Sequence, residues 1–398
     1  MKKEQKGGLP EIYFKAMWLL TVVLYILIPT ESGILSAVYY GIHFFTIGVF
    51  FLILFFQFRQ SQMDQFNTKR VLALFLMACI LIFSILCTAK TITFETHIMG
   101  ILGFLEMLLA VYIMDYVPYK KSLFQFVCKT NVVIAVVFII LSVSPYAYSH
   151  KLEESLSLGY SNPNATAIYL LLNMSILLLY AATIKGQLKK LFMYGLCAYL
   201  MYLLYATDSR TCFLAGLVVA VYTVLAPKWK IPMWVVPLFQ LFSLAFLYFY
   251  STLYKKGLFL DLEIMGKPFY SGREDYFIAM LERLKGYWLV GDVGLNPFNN
   301  MHNGALTLLS SCGVLGFLVH FWYVNRTIRF YYQGEVEHRQ TVALMIIAAA
   351  FIHASAEAAL LVGGANYTII MASLYWMLKG AKDNVESEGD NQQYRMGG

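Results

Sequence analysis

The sequence predicts an all-α, polytopic integral membrane protein with about twelve transmembrane helices and one long external loop. Of its 398 residues, 59% are apolar or aromatic and only 13% are charged, which is too little charge to cover the surface of a soluble protein. The mean hydropathy is +0.62, and apolar runs recur from one end of the chain to the other. Because no linker or repeat divides the chain, we expect residues 1–398 to form a single transmembrane domain.

An apolar run of about 20 residues is long enough to cross the hydrocarbon core of a bilayer as a helix. The predicted spans are residues 12–30, 33–57, 71–89, 97–115, 124–145, 163–183, 189–206, 210–226, 232–250, 303–325, 340–360 and 364–379. The first run lacks a small-residue cleavage site and is followed by another span, so we interpret it as a retained span. The polar residues 380–398 predict a disordered cytoplasmic tail.

Lysine and arginine residues predict the orientation, because cytoplasmic loops carry an excess of positive charge. With the N-terminus inside, every cytoplasmic segment carries at least two of these residues, whereas two external loops carry none. We therefore expect both termini in the cytoplasm. The same distribution accounts for the net charge of +7, which is not read as a sign of nucleic-acid binding. The six cysteines lie in or beside apolar runs and are interpreted as small buried hydrophobic residues.

The long external loop is residues 251–302, between the ninth and tenth spans. Long connections without a linker composition are usually functional. Within this loop, Ser271 and Glu274 have the spacing of a capping box, which predicts a helix start with Arg273 in its first turn. Apolar residues then recur on one face, which predicts an amphipathic helix lying along the outer membrane surface.

Three spans are predicted to begin on the external face, where a helix N-terminus offers N–H groups and a partial positive charge to an anion. The polar residues at these starts are Asn162 and Asn164 in the sixth span, Asp208, Ser209 and Arg210 in the eighth, and His302 and Asn303 in the tenth. The expected caps are Asn162, Asp208 and either Asn303 or Asn300. Each residue also has an ordinary structural interpretation, such as a cap or an arginine that extends to the interface.

Arg210, Arg273 and His302 together indicate a functional site more strongly than each does alone, because all three are predicted to lie outside and beside helix starts. Two guanidinium groups suit a diphosphate, and an imidazole among them suits acid–base chemistry near neutral pH. Glu357, near the outer end of the eleventh span, is a candidate to orient an arginine or His302, and a structural ion pair is the alternative. Solvation at the interface is the alternative for Arg273.

These residues resemble the motifs of the O-antigen ligase and O-antigen polymerase family of membrane glycosyltransferases. The matching segments are residues 159–164, 207–210, 271–273, 302–306 and 313–316, together with Gly291 and Gly294. They fall between residues 157 and 320, and the first five spans contain nothing that matches. Thr211 departs from the pattern, since the family often has glycine at this place.

The resemblance implies an inverting glycosyltransferase that needs neither metal nor cofactor and uses a glycan on undecaprenyl diphosphate as donor. Arg210 and Arg273 would bind the diphosphate, and His302 would activate a hydroxyl of the glycan acceptor. The other residues expected in the substrate site are Asn162, Asn164, Asp208, Ser209, Asn303 and Glu357. The expected location is the bacterial cytoplasmic membrane with the active site outside, and the expected partners are the lipid bilayer, a flippase and chain-length regulator proteins.

Three functions compete at this point. The leading one is a polymerase that joins lipid-linked repeat units, and the second is a ligase that transfers a finished glycan to another acceptor. The third is a non-enzymatic flippase of the same lipid-linked glycan. Transporters usually place polar residues near the bilayer midplane, whereas the cations here lie at one face, which favours chemistry over passage.

Overall fold

The computed structural model describes residues 8–27, 33–88, 94–145, 147–148, 155–160, 162–225, 229–291, 302–332, 336–358, 360 and 365–380. Its helices are α1 (Leu9–Leu27), α2 (Gly33–Gln60), α3 (Gln65–Thr88), α4 (Phe94–Met114), α5 (Lys121–Ser142), α6 (Pro163–Thr183), α7 (Gln187–Ala206), α8 (Arg210–Leu225), α9 (Val235–Lys255), α10 (Glu274–Leu284), α11 (Gly304–Tyr331), α12 (His338–His353) and α13 (Ala365–Met377). The strands β1 (Glu263–Ile264) and β2 (Lys267–Pro268) pair antiparallel in the loop between α9 and α10. Each predicted span overlaps a helix, and α10 lies in the long loop between α9 and α11.

Several of these helices have the length and composition of membrane spans. Within the described residues there are seven: Leu9–Leu27, Tyr40–Gln60, Gln65–Cys87, Lys121–Ser142, Pro163–Thr183, Val235–Lys255 and Gly304–Tyr331. Shorter apolar helices cover Gly103–Met114, Arg210–Leu225 and Tyr367–Met377. Large apolar side chains such as Phe44, Phe51 and Phe55 are exposed on α2, where lipid would solvate them far better than water. The chain is therefore mostly helical and compatible with a multi-pass membrane protein, while the count of twelve spans stays a prediction.

The middle of the bundle is built around α6 and α12. Helix α6 packs on α5, α7, α8 and α12, and most of its side chains are buried. Helix α12 also contacts α8, α9 and α13, and nearly every residue along it is buried. Because these helices pack side by side, the starts of α6, α8 and α11 and the end of α12 come together at one end of the bundle.

The long loop forms hydrogen bonds with α11 where that helix is interrupted. Gly313 has φ 62° and ψ −167°, so the helical hydrogen-bond ladder is interrupted there. The N–H groups of Val314 and Leu315 instead donate to the carbonyls of Trp288 and Leu289, at 2.9 and 3.2 Å. A Cβ atom on Gly313 would lie 2.3 Å from the Leu289 carbonyl oxygen, so only glycine permits this approach. The loop is thereby fixed to α11 at Trp288 and Leu289.

Helix α10 corrects one detail of the sequence-based prediction. It begins at Glu274, so Arg273 is its N-cap residue and does not lie in the first turn. Phe277 and Leu284 of its apolar face are buried against α9 and α11, so part of this face contacts protein, and its position along the membrane surface stays a prediction. An amphipathic pattern requires only that the apolar face be buried, and neighbouring helices can bury it as well as lipid can.

Candidate active site

A cavity of about 350 Å³ lies where the starts of α6, α8 and α11 and the end of α12 meet. The loop between α9 and α10 forms its outer wall. The residues that line it are Asn164, Asp208, Ser209, Arg210, Thr211, Leu214, Phe246, Tyr250, Ile264, Lys267, Phe269, Ser271, Arg273, Phe277, His302, Ser355, Ala356 and Glu357. The wall thus combines three cations, two carboxylates and one imidazole with several aromatic rings.

Glu357 is the central acceptor of the cavity. It follows the last turn of α12 and is 4% exposed. One of its oxygens, Oε1, lies 2.9 Å from Nδ1 of His302 and 3.5 Å from Nη2 of Arg273. The same oxygen accepts a hydrogen bond of 3.0 Å from the side-chain amide of Asn164. One buried carboxylate therefore connects residues from α6, the long loop and the start of α11.

His302 is held directly before α11 by its neighbour. Asn303 caps the helix, since its side-chain oxygen accepts from the N–H of Leu306 at 2.9 Å. The Asn303 amide donates to the carbonyls of Ser243 and Ser355, at 3.2 and 2.9 Å. His302 itself has φ 51°, a left-handed conformation that turns the chain into the helix. Asn303 is fully buried and does not line the cavity, so its expected place in the substrate site is corrected to that of a support for His302.

Arg273 is aimed by the turn that precedes α10. Gly272, with φ 79°, reverses the chain, and the carboxylate of Glu274 accepts from the N–H of Ser271 at 2.7 Å. Glu274 also accepts from the hydroxyl of Tyr250 on α9, so the turn is tied to a neighbouring helix. The Arg273 guanidinium then reaches across the cavity and donates to the carbonyl of Ala356 at 3.0 Å. The capping-box glutamate predicted from the sequence is present, although Ser271 does not cap the helix.

Arg210 holds a small hairpin over the cavity. Its Nη1 donates to the backbone carbonyls of Lys267 and Pro268, at 3.3 and 2.7 Å. Asp208 was expected to cap α8, but it has φ 59° and its carboxylate lies 3.3 Å from the ammonium of Lys267. The same Asp208 oxygen accepts from the hydroxyl of Ser155 at 2.9 Å. The short turn before α8 therefore binds the hairpin through both a cation and a carboxylate.

Most of the residues singled out from the sequence meet in this cavity. Those that line it are Asn164, Asp208, Ser209, Arg210, Arg273, His302 and Glu357. Asn162 does not line it, because its side chain accepts from the N–H of Asn164 as the predicted cap of α6. The alternative cap Asn300 and the motif residue Gly294 lie outside the described residues.

Sequence reasoning did not single out Lys267 or the aromatic wall. Lys267 lies in a strand of two residues, which is too short to show the alternation typical of strands. The wall contains Phe246, Tyr250, Phe269 and Phe277, which come from both α9 and the loop. A possible signal was the repeat of aromatic residues on α9, where the rings of Phe246 and Tyr250 stack at 5.0 Å. Aromatic faces of this kind can pack on sugar rings or on a lipid chain.

The cavity brings cationic side chains together with an imidazole and a carboxylate. Guanidinium and ammonium groups can bind phosphate oxygens, and the carboxylate beside the imidazole can orient it. Among the described residues, no three His, Cys, Asp or Glu side chains are grouped so as to hold a metal ion.

Comparison with protein-family models, with curated proteins and with solved structures found no match for this chain.

Proposed function

We propose that this chain is a membrane glycosyltransferase that polymerises glycan repeat units carried on undecaprenyl diphosphate. The observation that supports this most directly is the joint presence of Arg210, Arg273, His302 and Glu357 in one cavity. A transfer from a lipid diphosphate needs a site for the anion beside a general base, and this cavity offers both. The resemblance to the O-antigen ligase and polymerase family supplies the substrate class.

In the proposed reaction, Arg210 and Arg273 bind the diphosphate of the donor. The Nδ1–H of His302 donates to Glu357, so Nε2 is the basic nitrogen. Nε2 takes the proton of the acceptor hydroxyl while its oxygen attacks the anomeric carbon from the side opposite the diphosphate. The bond from the anomeric carbon to the phosphate oxygen breaks, and its electron pair stays on the lipid diphosphate. The configuration at the anomeric carbon is inverted.

We also propose a location for the chain. The chain lies in the bacterial cytoplasmic membrane with about twelve spans and both termini inside, and the cavity opens on the external face. The lipid-linked donor then reaches the site in the outer leaflet after a flippase has delivered it. Chain-length regulators are expected partners of such a polymerase.

The decisive test replaces the base. We expect His302→Ala to lower the rate of glycan transfer by about 100-fold or more, because general base catalysis contributes about 10²–10⁴-fold. The measurement is the length distribution of polysaccharide made from lipid-linked repeats by the purified protein in proteoliposomes. His338→Ala is the matched control, since His338 begins α12 at the end opposite Glu357.

The products distinguish the competing functions. A polymerase turns single lipid-linked repeats into long chains, whereas a ligase would act only on preformed chains and a different acceptor. A flippase would move the lipid-linked glycan across the membrane of vesicles without changing it.

Arg273→Lys should have little of the activity of the unchanged protein, because lysine cannot reproduce the forked binding of a phosphate by arginine. Normal polymer from His302→Ala would refute the assignment of the base.

A further inference from the structure

The cavity contains a third cation besides the two arginines. Lys267 lines it from β2, and its ammonium lies 3.3 Å from a carboxylate oxygen of Asp208. Both side chains are about two fifths exposed, at 42% and 43%. An ion pair with this much exposure contributes little to stability, so it separates at little cost.

The hairpin backbone keeps this ammonium near the arginine. Arg210 holds the carbonyls of Lys267 and Pro268, so the backbone at the base of the lysine side chain is fixed against the start of α8. The flexible four-carbon stem can then move the ammonium without moving the hairpin. Asp208, which pairs with the lysine, is itself anchored by the Ser155 hydroxyl.

The charge of the proposed leaving group requires more than two cations. A diphosphate with an ester at each end carries about two negative charges, and the released lipid diphosphate carries about three near neutral pH, because its terminal phosphate ionises again with a pKa near 6. Of the two arginines, Arg273 is already partly neutralised by Glu357. A third cation at the cavity wall matches the charge that appears only when the glycosidic bond breaks.

We propose that Lys267 is a ligand of the terminal phosphate of the leaving lipid diphosphate and that Asp208 holds its ammonium until the donor binds. This inference rests on the proposed function, because it assumes a diphosphate donor. As the bond from the anomeric carbon breaks, the electron pair remains on the terminal phosphate oxygen, and Lys267 exchanges Asp208 for that oxygen. The acceptor proton still goes to His302, so the exchange changes no other bond.

The test measures binding of a short prenyl diphosphate, farnesyl diphosphate, to the full-length protein in lipid nanodiscs. We expect Lys267→Gln to weaken this binding by about tenfold, the value of a charge-assisted contact, and to reduce the preference for farnesyl diphosphate over farnesyl monophosphate. Lys267→Arg should restore most of the affinity. Lys285→Gln is the matched control, because Lys285 lies in the same loop, is 71% exposed and pairs with Glu282 away from the cavity.

Arg273→Gln separates the failure of this inference from the failure of the proposed function. If Arg273→Gln weakens binding while Lys267→Gln matches the Lys285→Gln control, Lys267 is no ligand and the proposed function survives. If neither Arg273→Gln nor Lys267→Gln alters binding, the diphosphate site itself is refuted. Thermal melting of each variant shows whether the fold is intact. Lys267→Arg provides the second measurement if Lys267→Gln unfolds.

Discussion

Glu357 shows how much of the candidate site depends on a single side chain. Its carboxylate is 4% exposed, and one oxygen contacts His302, Arg273 and Asn164. A buried carboxylate is costly unless it is paired, and these contacts pair it. The sequence indicated Glu357 as a candidate because an acidic residue is rare in an apolar span, with orientation of an arginine or His302 and a structural ion pair as the two alternatives.

Replacing this carboxylate with an amide tests its role. Glu357→Gln keeps the shape of the side chain but removes the charge that contacts His302 and pairs with Arg273. We expect the turnover of lipid-linked repeats to fall by about 10–100-fold, as is usual when a group that orients a catalytic residue is lost. Glu337→Gln is the control, because Glu337 caps the opposite end of α12 and glutamine can also accept there. Equal turnover by both variants would mean that Glu357 has only a structural role.

The partner of Asp208 could not be predicted from the residues around it. The order Asp208, Ser209, Arg210 before an apolar run is typical of a capped helix start, and α8 does begin at Arg210. The carboxylate instead pairs with Lys267, a residue far along the chain. A cap is a local feature that sequence can reveal, whereas a partner brought in by a distant loop depends on the packing of whole elements.

At the scale of elements, the sequence predicted helix starts better than loop structure. Asn162 and Asn303 cap α6 and α11 as expected, because a capping residue acts on N–H groups two or three positions away. The hairpin of β1 and β2 was not anticipated, since strands of two residues leave no alternating pattern. The break in α11 was not anticipated either, because glycine is tolerated within a helix and the motif at residues 313–316 does not by itself indicate an interrupted helix.

The break in α11 gives a prediction about the stability of this element. Gly313→Ala would place a Cβ atom 2.3 Å from the Leu289 carbonyl oxygen at a backbone conformation with φ 62°. We expect a loss of about 2–4 kcal/mol of folding free energy, seen as a lower melting temperature in detergent. Gly195→Ala in α7 is the control, because no atom lies within 4 Å of its added Cβ, and we expect unchanged or slightly higher stability. An unshifted melting temperature for Gly313→Ala would contradict the docking of the loop into this break.

At the scale of the whole molecule, hydropathy predicted where the apolar helices lie in the sequence but not which helices pack against each other. The twelve predicted segments each overlap a helix, because length and apolar composition are properties of a single segment. That α12 lies between α6, α8 and α9 depends on side-chain packing between segments distant in sequence. Similarly, Lys379 donates to the carbonyls of Met114 and Val117 and thereby joins the end of α13 to the end of α4, which no periodicity could reveal.

The orientation is testable on the whole molecule. In a variant without native cysteines, we expect Lys285→Cys to react with a membrane-impermeant maleimide added to intact cells, because the proposed topology has the long loop outside. Lys69→Cys should react only after permeabilisation, since the loop before α3 is placed inside. Both lysines are exposed, so access to the reagent differs only by side. Labelling of Lys69→Cys in intact cells would reverse the proposed topology.

The oxygen of Glu357 that three donors share has a kinetic consequence. A carboxylate oxygen has two lone pairs, so the imidazole, the guanidinium and the amide compete for it. When a phosphate draws the Arg273 guanidinium away, that oxygen keeps its contacts with His302 and Asn164. In the proposed reaction, donor binding therefore changes the surroundings of His302, and the acceptor sugar is deprotonated only after the leaving group is in place.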